Sequence, residues 1–346
     1  MTVATTPRMH FYNFDKLMSY NGVWNFLCGA RGLGKTYGAK IKAVKAAIHK
    51  GEQFIYMRRY KEELRKSKDA FFADLDAEGA FPDWDFRIHG SLAQKSHVNL
   101  RDDKKRQWDT IGYFIPLSSA QGVKSVAYPL VTTIIFDEFI LEKGLTHYLP
   151  NEAEIFTNFY STVDRYKDKT RVFFLANAVS INNPYFLTYR IKPDEVGEFH
   201  RTHDGFIVCH FADSADFKND VYKTRFGRFI QDTEYANYAV GSEFKDNHDG
   251  LVQFKPSEAV YFYTLETANG TFSVWLDWGS QTYYIQSKRP KQEKIMTLLS
   301  EKMVEGKTLL FTNDKLIQDM RTAFRNARVY FDSAQARNSF IEIFRK

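Results

Sequence analysis

Gly29-Ala30-Arg31-Gly32-Leu33-Gly34-Lys35-Thr36 fits the pattern Gly, any four residues, Gly-Lys-Ser/Thr, the loop that cradles polyphosphates in nucleoside triphosphatases. The apolar run Val23-Trp24-Asn25-Phe26-Leu27-Cys28 enters it as a strand. The Ala- and Lys-rich segment from Tyr37 to Lys50 leaves it with good helix propensity. Gly29, Gly32 and Gly34 let the backbone double back, so that a nest of N–H groups and a helix N-terminus face negative charge. Ala30, Arg31 and Leu33 complete the nest. Lys35 would bind the β- and γ-phosphates, and the Thr36 hydroxyl would hold Mg²⁺.

With 346 residues, 44% of them hydrophobic and 16% aromatic, the chain can bury cores in two ordinary domains and is not generally disordered. The net charge is a modest +6, but residues 1 to 50 carry eight Lys/Arg against the single acid Asp15. That local bias suits a polyanionic partner. The two cysteines, Cys28 and Cys209, have no metal-like spacing, which makes a reducing cytoplasm the default. No apolar run approaches membrane-spanning length and the first residues carry no export signal, so a soluble protein without membrane attachment is expected.

Residues 1 to 22 form an aromatic arm with Phe11, Tyr12, Phe14 and Tyr20, read as packing on the sheet, with stacking on a nucleotide base as the alternative. Strands are expected over Gln53–Met57, Leu130–Phe136 and Arg171–Ala176, and helices over Glu62–Asp76 and Asn151–Arg165. Short strands fill residues 81 to 116, interrupted by the charged turn Arg101–Arg106, and a polar loop covers Ser118–Ser125. Continuous apolar strands alternating with helices indicate α/β architecture with a mainly parallel sheet covered on both faces. From about residue 212 to 250 the chain is polar and helical. Beyond Val252 comes a meander, Ala259–Thr267, the Asn269-Gly270 turn, Thr271–Asp277, the Gly279-Ser280 turn and Gln281–Gln286. Lys307–Phe311, Asp314–Asn326, Arg328–Phe331 and Ala334–Arg345 then alternate strand and helix. The expected division is a phosphate-loop ATPase domain over 1–211, a helical linker over 212–250 and a short α+β domain over 251–346.

Hydrolysis needs more than a phosphate loop. The apolar strand Val131–Phe136 ends in Asp137-Glu138, 102 residues after Lys35. Asp137 would orient Mg²⁺ and Glu138 would polarise the attacking water. The long gap suggests the additional-strand, catalytic-glutamate class, in which another strand separates the loop strand from the acid strand. No Asn-Lys-x-Asp guanine-reading motif occurs, so ATP is favoured over GTP. Asn177 ends the next apolar strand, where a polar residue would meet the γ-phosphate or the water; an ordinary polar strand terminus is the alternative. Arg165 closes the preceding helix and could stabilise transition-state charge as an arginine finger, or be a surface arginine at a helix C-terminus. His200, His203, Cys209 and His210 resemble a metal cluster only superficially, because adjacent strand positions face opposite sides.

Several stretches together resemble the DNA-packaging ATPases of small short-tailed phages with protein-primed linear genomes, and more distantly the large terminase subunits. They are the phosphate loop, Gln53–Lys61, Phe136-Asp137-Glu138-Phe139-Ile140, Tyr148–Glu152, Ala176–Ser180 with Asn183–Phe186, and Lys223–Arg228. The resemblance implies a homomeric, pentameric ring docked on the portal of an empty procapsid in the host cytoplasm and absent from the mature virion. Such a ring drives double-stranded DNA with ATP, and the family also uses a structural packaging RNA. By position, Arg165 matches a trans-acting arginine, Lys124 a second basic residue facing the neighbouring subunit, and Arg31 a loop arginine of terminases that senses the γ-phosphate. Residues 251–346 resemble a shortened RNase H-like nuclease domain. Asp277, Asp314 and Asp332 do not assemble into a convincing two-metal set, so an inactive nuclease fold is expected, with Arg321, Arg325 and Arg328 binding DNA or packaging RNA. The competing readings are a helicase-like motor and a nucleotide-gated DNA-binding scaffold with negligible turnover.

Overall fold

A computed structural model gives the structure. It describes residues 9–102, 106–123, 127–141, 147–177, 183–191, 197–233, 236, 240, 255–268, 270–290, 294–311, 313–326, 328–333, 336–337, 340 and 343. The chain divides into two compact units, Met1–Val179 with Ile191–Glu243, and Ser180–Arg190 with Phe244–Lys346.

The elements begin with α1 (Phe14–Ser19), β1 (Trp24–Gly29), α2 (Lys35–Lys50), β2 (Gln53–Arg58), α3 (Lys61–Lys68) and α4 (Ala73–Ala77). They continue with β3 (Trp84–His89), β4 (Leu92–His97), β5 (Asp109–Pro116), β6 (Val131–Asp137), α5 (Glu152–Asp164) and β7 (Arg171–Asn177). Then come α6 (Pro184–Thr188), β8 (Phe199–Thr202), β9 (Ile207–Phe211), α7 (Ala215–Lys223) and α8 (Arg225–Ile230). In the first unit nine strands form one sheet in the order β3-β4-β5-β2-β6-β7-β1-β9-β8. The strands from β5 to β9 run parallel, and β3, β4 and β8 add antiparallel edges.

β7 lies between the loop strand β1 and the acid strand β6, paired in register with both. Gly29 stands opposite Asn177, and Asp137 opposite Leu175. The carboxyl ends of three neighbouring strands thus bring the loop, Asn177 and the Asp137-Glu138 pair to one edge, where α/β sheets bind ligands.

Period-two alternation assigns the faces. Phe173 joins Ala39, Ala43, Val44 and Ala47 of α2, small residues that let the helix lie close on the sheet. Phe174 points the other way, stacked on Phe26 at 4.1 Å and packed on Phe156 of α5 at 4.7 Å. Fully burying each such ring contributes about 1.5–3 kcal/mol.

Some boundaries differ from the sequence reading. The expected helix Glu62–Asp76 is two helices, because Phe71 and Phe72 turn inward between them and both are buried. The polar loop expected at Ser118–Ser125 contains a 3₁₀ stretch, Leu117–Val123, anchored by buried Leu117 and Ala120. His210 is a packed residue: its ring stacks on Phe199 at 3.7 Å, Nδ1 bonds the Tyr12 hydroxyl at 2.7 Å, and burial lowers its pKa to about 4.

The second unit comprises α6, β10 (Val260–Thr267), β11 (Gly270–Asp277), β12 (Thr282–Gln286), β13 (Ile295–Thr297), β14 (Lys307–Leu309), α9 (Lys315–Arg325) and β15 (Val329–Phe331). Its six strands order as β14-β13-β10-β11-β12-β15. β10, β11 and β12 are the antiparallel meander; β13 and β14 join parallel on one side and β15 on the other. α9 buries Ile317, Met320, Ala323 and Phe324, the spacing of one helical face. Asn269, most of the expected helix Ala334–Arg345 and residues 241–250 lie outside the described residues. No helix among the described residues is long and apolar enough to cross a membrane.

Candidate nucleotide site

β1 ends at Gly29, and the loop returns to start α2 at Lys35. Gly34, the residue before the helix, has φ +86°, a left-handed conformation that favours glycine. The Lys35 ammonium is almost fully buried. It donates to the carbonyls of Gly29 at 3.0 Å and Ala30 at 2.6 Å, and to Asn177 Oδ1 at 3.3 Å. Burial pulls its pKa down to about 8. A buried cation resting on its own loop carbonyls is poised to trade them for phosphate oxygens.

The acid strand meets the loop at one point. Thr36 Oγ1 donates to Asp137 Oδ1 at 2.9 Å. Tyr56, from β2, donates to the other carboxylate oxygen at 2.8 Å, and Arg58 Nη1 lies 3.6 Å from it. Burial, and then the Asp137 charge, push the Tyr56 phenol well above its usual range. Thr36 and Asp137 therefore present a hydroxyl and a carboxylate side by side, hard oxygen donors that fit Mg²⁺, an ion that takes few protein ligands and keeps its remaining waters.

Glu138 follows in the left-handed conformation, φ +55°, which swings its side chain into the open cleft, where it is 59% exposed. There it is ion-paired with Arg58 Nη2. Behind it, Arg59 is wholly buried. Its Nε donates to Glu152 Oε2 at 2.7 Å and its Nη2 to the Phe139 carbonyl at 2.6 Å, while Tyr148 stacks 4.8 Å from the guanidinium. Glu152 opens α5, so this pair ties the backbone after the acid strand to that helix. Taking one partner away would strand a buried charge, at a cost of about 3–5 kcal/mol.

The cleft encloses 880 Å³ and is lined by the loop from Arg31 to Thr36, with Asp137, Glu138, Asn177, Tyr37 and Phe11. Arg31 is exposed at its wall.

Lys35, Thr36, Asp137, Glu138 and Asn177 thus converge. Arg165 does not join them. It caps the far end of α5, exposed, before the first residue of β7, whereas the loop lies beyond the last. Seven residues of strand put roughly 23 Å between those edges. The turn carrying it is built: Asp164 accepts the backbone N–H groups of Lys167, Asp168, Lys169 and Thr170 at 2.8–3.0 Å. Arg165 and Tyr166 are both left-handed, at φ +53° and +56°. Lys124 lies outside the described residues.

Sequence reasoning missed Tyr56, Arg58, Arg59 and Glu152 as site residues. The one signal was a pair of arginines at the carboxyl end of a buried strand, beside the place where an acid strand would pair.

In the second unit the carboxylates do not converge. Asp277 accepts the Gly279 N–H at 2.9 Å and the Ser280 hydroxyl at 2.7 Å, which shapes the turn after β11. Asp314 precedes α9 and accepts the Phe311 N–H at 2.7 Å. Asp332 accepts the Ser287 N–H at 2.5 Å. Glu266, on β10, is held at 2.8 Å through both oxygens by Lys307. Among the described residues, no three His, Cys, Asp or Glu side chains form a metal-holding group. Arg321 Nη2 donates to the Ile343 carbonyl at 2.9 Å, and Arg325 is exposed.

The family model of the Podovirus DNA encapsidation protein (Gp16) matches residues 7–346. The chain is 36% identical over 339 residues to the DNA packaging protein of Bacillus phage phi29, covering 97% of each. It is 34% identical over 333 residues to that of Bacillus phage B103, covering 95% of this chain and 99% of the relative. Among solved structures, the bacteriophage Phi-29 viral genome packaging motor assembly contains a chain 35% identical, with a TM-score of 0.57 over 97% of this chain and 99% of that one. The N-terminal domain of the DNA packaging ATPase from bacteriophage phi29 is 41% identical, with a TM-score of 0.52 over 60% of this chain and 98% of that one.

Proposed function

The chain belongs to the podovirus DNA encapsidation protein family, and on that premise we propose that it is an ATP-driven motor that moves double-stranded DNA into a procapsid. It works as a homomeric ring and hydrolyses ATP at the seams between subunits. The observation that carries this reading is the convergence of Lys35, Thr36, Asp137, Glu138 and Asn177 on one cleft at the carboxyl edge of the sheet.

The loop N–H groups and the Lys35 ammonium bind the triphosphate, and Asn177 meets the γ-phosphate beside Lys35. Thr36 and Asp137 would hold Mg²⁺, which would supply charge neutralisation to the triphosphate when bound. Glu138, once released from Arg58, orients a water and takes its proton as the oxygen attacks the γ-phosphorus. The bond to the β–γ bridging oxygen breaks and ADP leaves. Tyr56 and Arg58 keep Asp137 oriented throughout.

Arg165 is too far from its own cleft to serve it, which supports action on the neighbour's nucleotide. Fingers of this kind contribute roughly 10³ to 10⁵ in rate. Lys124 is proposed as a second basic residue facing the same neighbour. The relatives' packaging names and the phi29 motor assembly support DNA as cargo and a multi-subunit motor; a pentameric ring on the portal, with packaging RNA as a further partner, is what the family resemblance implies. The motor acts transiently at the portal vertex in the host cytoplasm and is absent from the mature virion. DNA contacts go to phosphates, because a translocating motor reads no sequence, and they weaken with salt.

The second unit is proposed to be an RNase H-like domain without nuclease activity. Within its six-stranded sheet the run β12-β11-β10-β13-β14, an antiparallel meander followed by two parallel strands, supports the fold, with β15 added beside β12, and the dispersal of its carboxylates supports the loss of cutting. Arg325 and Arg328 remain as nucleic-acid contacts.

Mixing subunits tests the seam. Arg165→Ala and Lys35→Ala subunits, each inactive alone, should partly restore DNA-stimulated phosphate release when combined, since a mixed ring contains intact seams. No recovery at any ratio would contradict hydrolysis between subunits.

A further inference from the structure

The amino-terminal arm crosses the phosphate loop as a strap. The Tyr12 N–H donates to the Leu33 carbonyl at 2.9 Å. The Phe11 ring lies on Gly34, where an added Cβ would come within 3.3 Å of it. One residue back, His10 is fixed twice to Asp220 of α7, through its backbone N–H at 2.9 Å and its Nδ1 at 2.6 Å. The Asp220 side chain is only 3% exposed and also holds Lys223 at 2.8 Å. Phe11 meets α7 as well, its ring 6.4 Å from that of Phe217.

The other rings of the arm are committed inward. Tyr12 bonds His210, Phe14 packs edge-on to Phe173 at 5.0 Å, and Tyr20 stacks on Phe199 at 4.0 Å. Phe11 is different: it is clamped by the loop on one side and α7 on another, yet it stays 62% exposed and lines the cleft that holds Lys35 and Thr36. A solitary exposed phenylalanine needs no explanation. One whose orientation is set by its neighbours, at the wall of a cleft whose other end binds phosphate, presents a π-face where the rest of a nucleotide would lie.

We propose that Phe11 is the base platform of the nucleotide site, a purine stacking on its open face while the loop holds the phosphates. The His10–Asp220 pair positions the ring. The proposal rests on the reading of the cleft as an ATP site. It also makes α7 part of the nucleotide's surroundings, because the strap that carries the base is fastened to that helix.

The test compares calorimetric binding of ATP and of inorganic tripolyphosphate, which has no base, to the full chain. Phe11→Ala should weaken ATP about tenfold, the scale of one base–aromatic stack, and leave tripolyphosphate within twofold. Phe11→Tyr should keep ATP affinity within about twofold. Asp220→Asn should weaken ATP severalfold and spare tripolyphosphate; equal affinities to the parent would remove its positioning role. Unchanged ATP binding in Phe11→Ala would overturn the base platform. Equal losses for both ligands would do the same, because the ring would then only prop the loop. A parent protein that bound neither ligand would instead overturn the nucleotide site itself, and the platform with it.

Discussion

Each unit sets acidic side chains at or near the ends of β-strands, but only in the first do they face one another. Asp137 and Glu138 close β6 beside the carboxyl ends of β7 and β1, and Tyr56, Arg58 and Thr36 reach them from two other elements. Asp277 and Asp314 bond to backbone within a turn or at a helix start, Asp332 is taken up by Ser287 just after β12, and Glu266 is matched by Lys307. The difference lies in what the local backbone leaves free. A carboxylate that accepts from its own turn is aimed back at that turn, whereas Asp137, held by side chains from two other elements, is aimed at a shared point.

Substitutions can widen or erase that contrast. The largest effect is expected at Glu138. Glu138→Gln keeps the size of the side chain and removes the base, so steady-state phosphate release should fall by about 10²–10⁴ while ATP affinity stays within a few-fold. Unimpaired turnover would take Glu138 out of the chemistry.

A middle-sized effect belongs to pH. Burial has already lowered the Lys35 pKa to about 8, and a bound triphosphate favours its protonated form. Binding above pH 8 must therefore take up a proton. The ATP dissociation constant should be level below pH 8, as far as this group is concerned, and rise toward tenfold per unit above it. Calorimetry in buffers of different ionisation enthalpy would count that proton, and an uptake of zero at pH 9 would contradict the assignment.

The smallest effect should come from Asp277→Asn. It keeps one oxygen for the Gly279 N–H and replaces the acceptor of the Ser280 hydroxyl, so a melting-temperature change of a few degrees at most and intact DNA packaging are expected. Loss of a Mg²⁺-dependent DNA-cutting activity in this variant would erase the contrast between the units.

What could be read from the chain alone was whatever fits inside one stretch. The loop from Gly29 to Thr36 is contiguous, the acid strand is an apolar run ending in two acids, and continuous apolar runs identify strands covered on both faces. The 102-residue gap holds β2 to β5, whereas the strand that the structure places between β1 and β6 is β7, which follows the acid strand in the chain. Hidden was everything decided by register between distant strands. Arg58 meets Glu138 only because β2 lies beside β6, and Arg59 finds Glu152 only because α5 begins where the acid strand's loop ends. The arm offered four aromatic residues with nothing in the sequence to separate Phe11 from the other three; exposure and the contacts of Gly34 do that. Short strands such as β8 and β13 have too few residues to show a period.

The central claim is that ATP turnover at the Lys35–Glu138 cleft is converted into movement of a duplex. The direct measurement supplies purified procapsids, the remaining packaging partners, linear DNA and ATP to the protein, and then scores the DNA that survives added nuclease. The account predicts genome-length protection with the parent protein, and none with Glu138→Gln or with a non-hydrolysable ATP analogue. Protection by the Glu138→Gln protein equal to the parent's, or none with the parent, would contradict it.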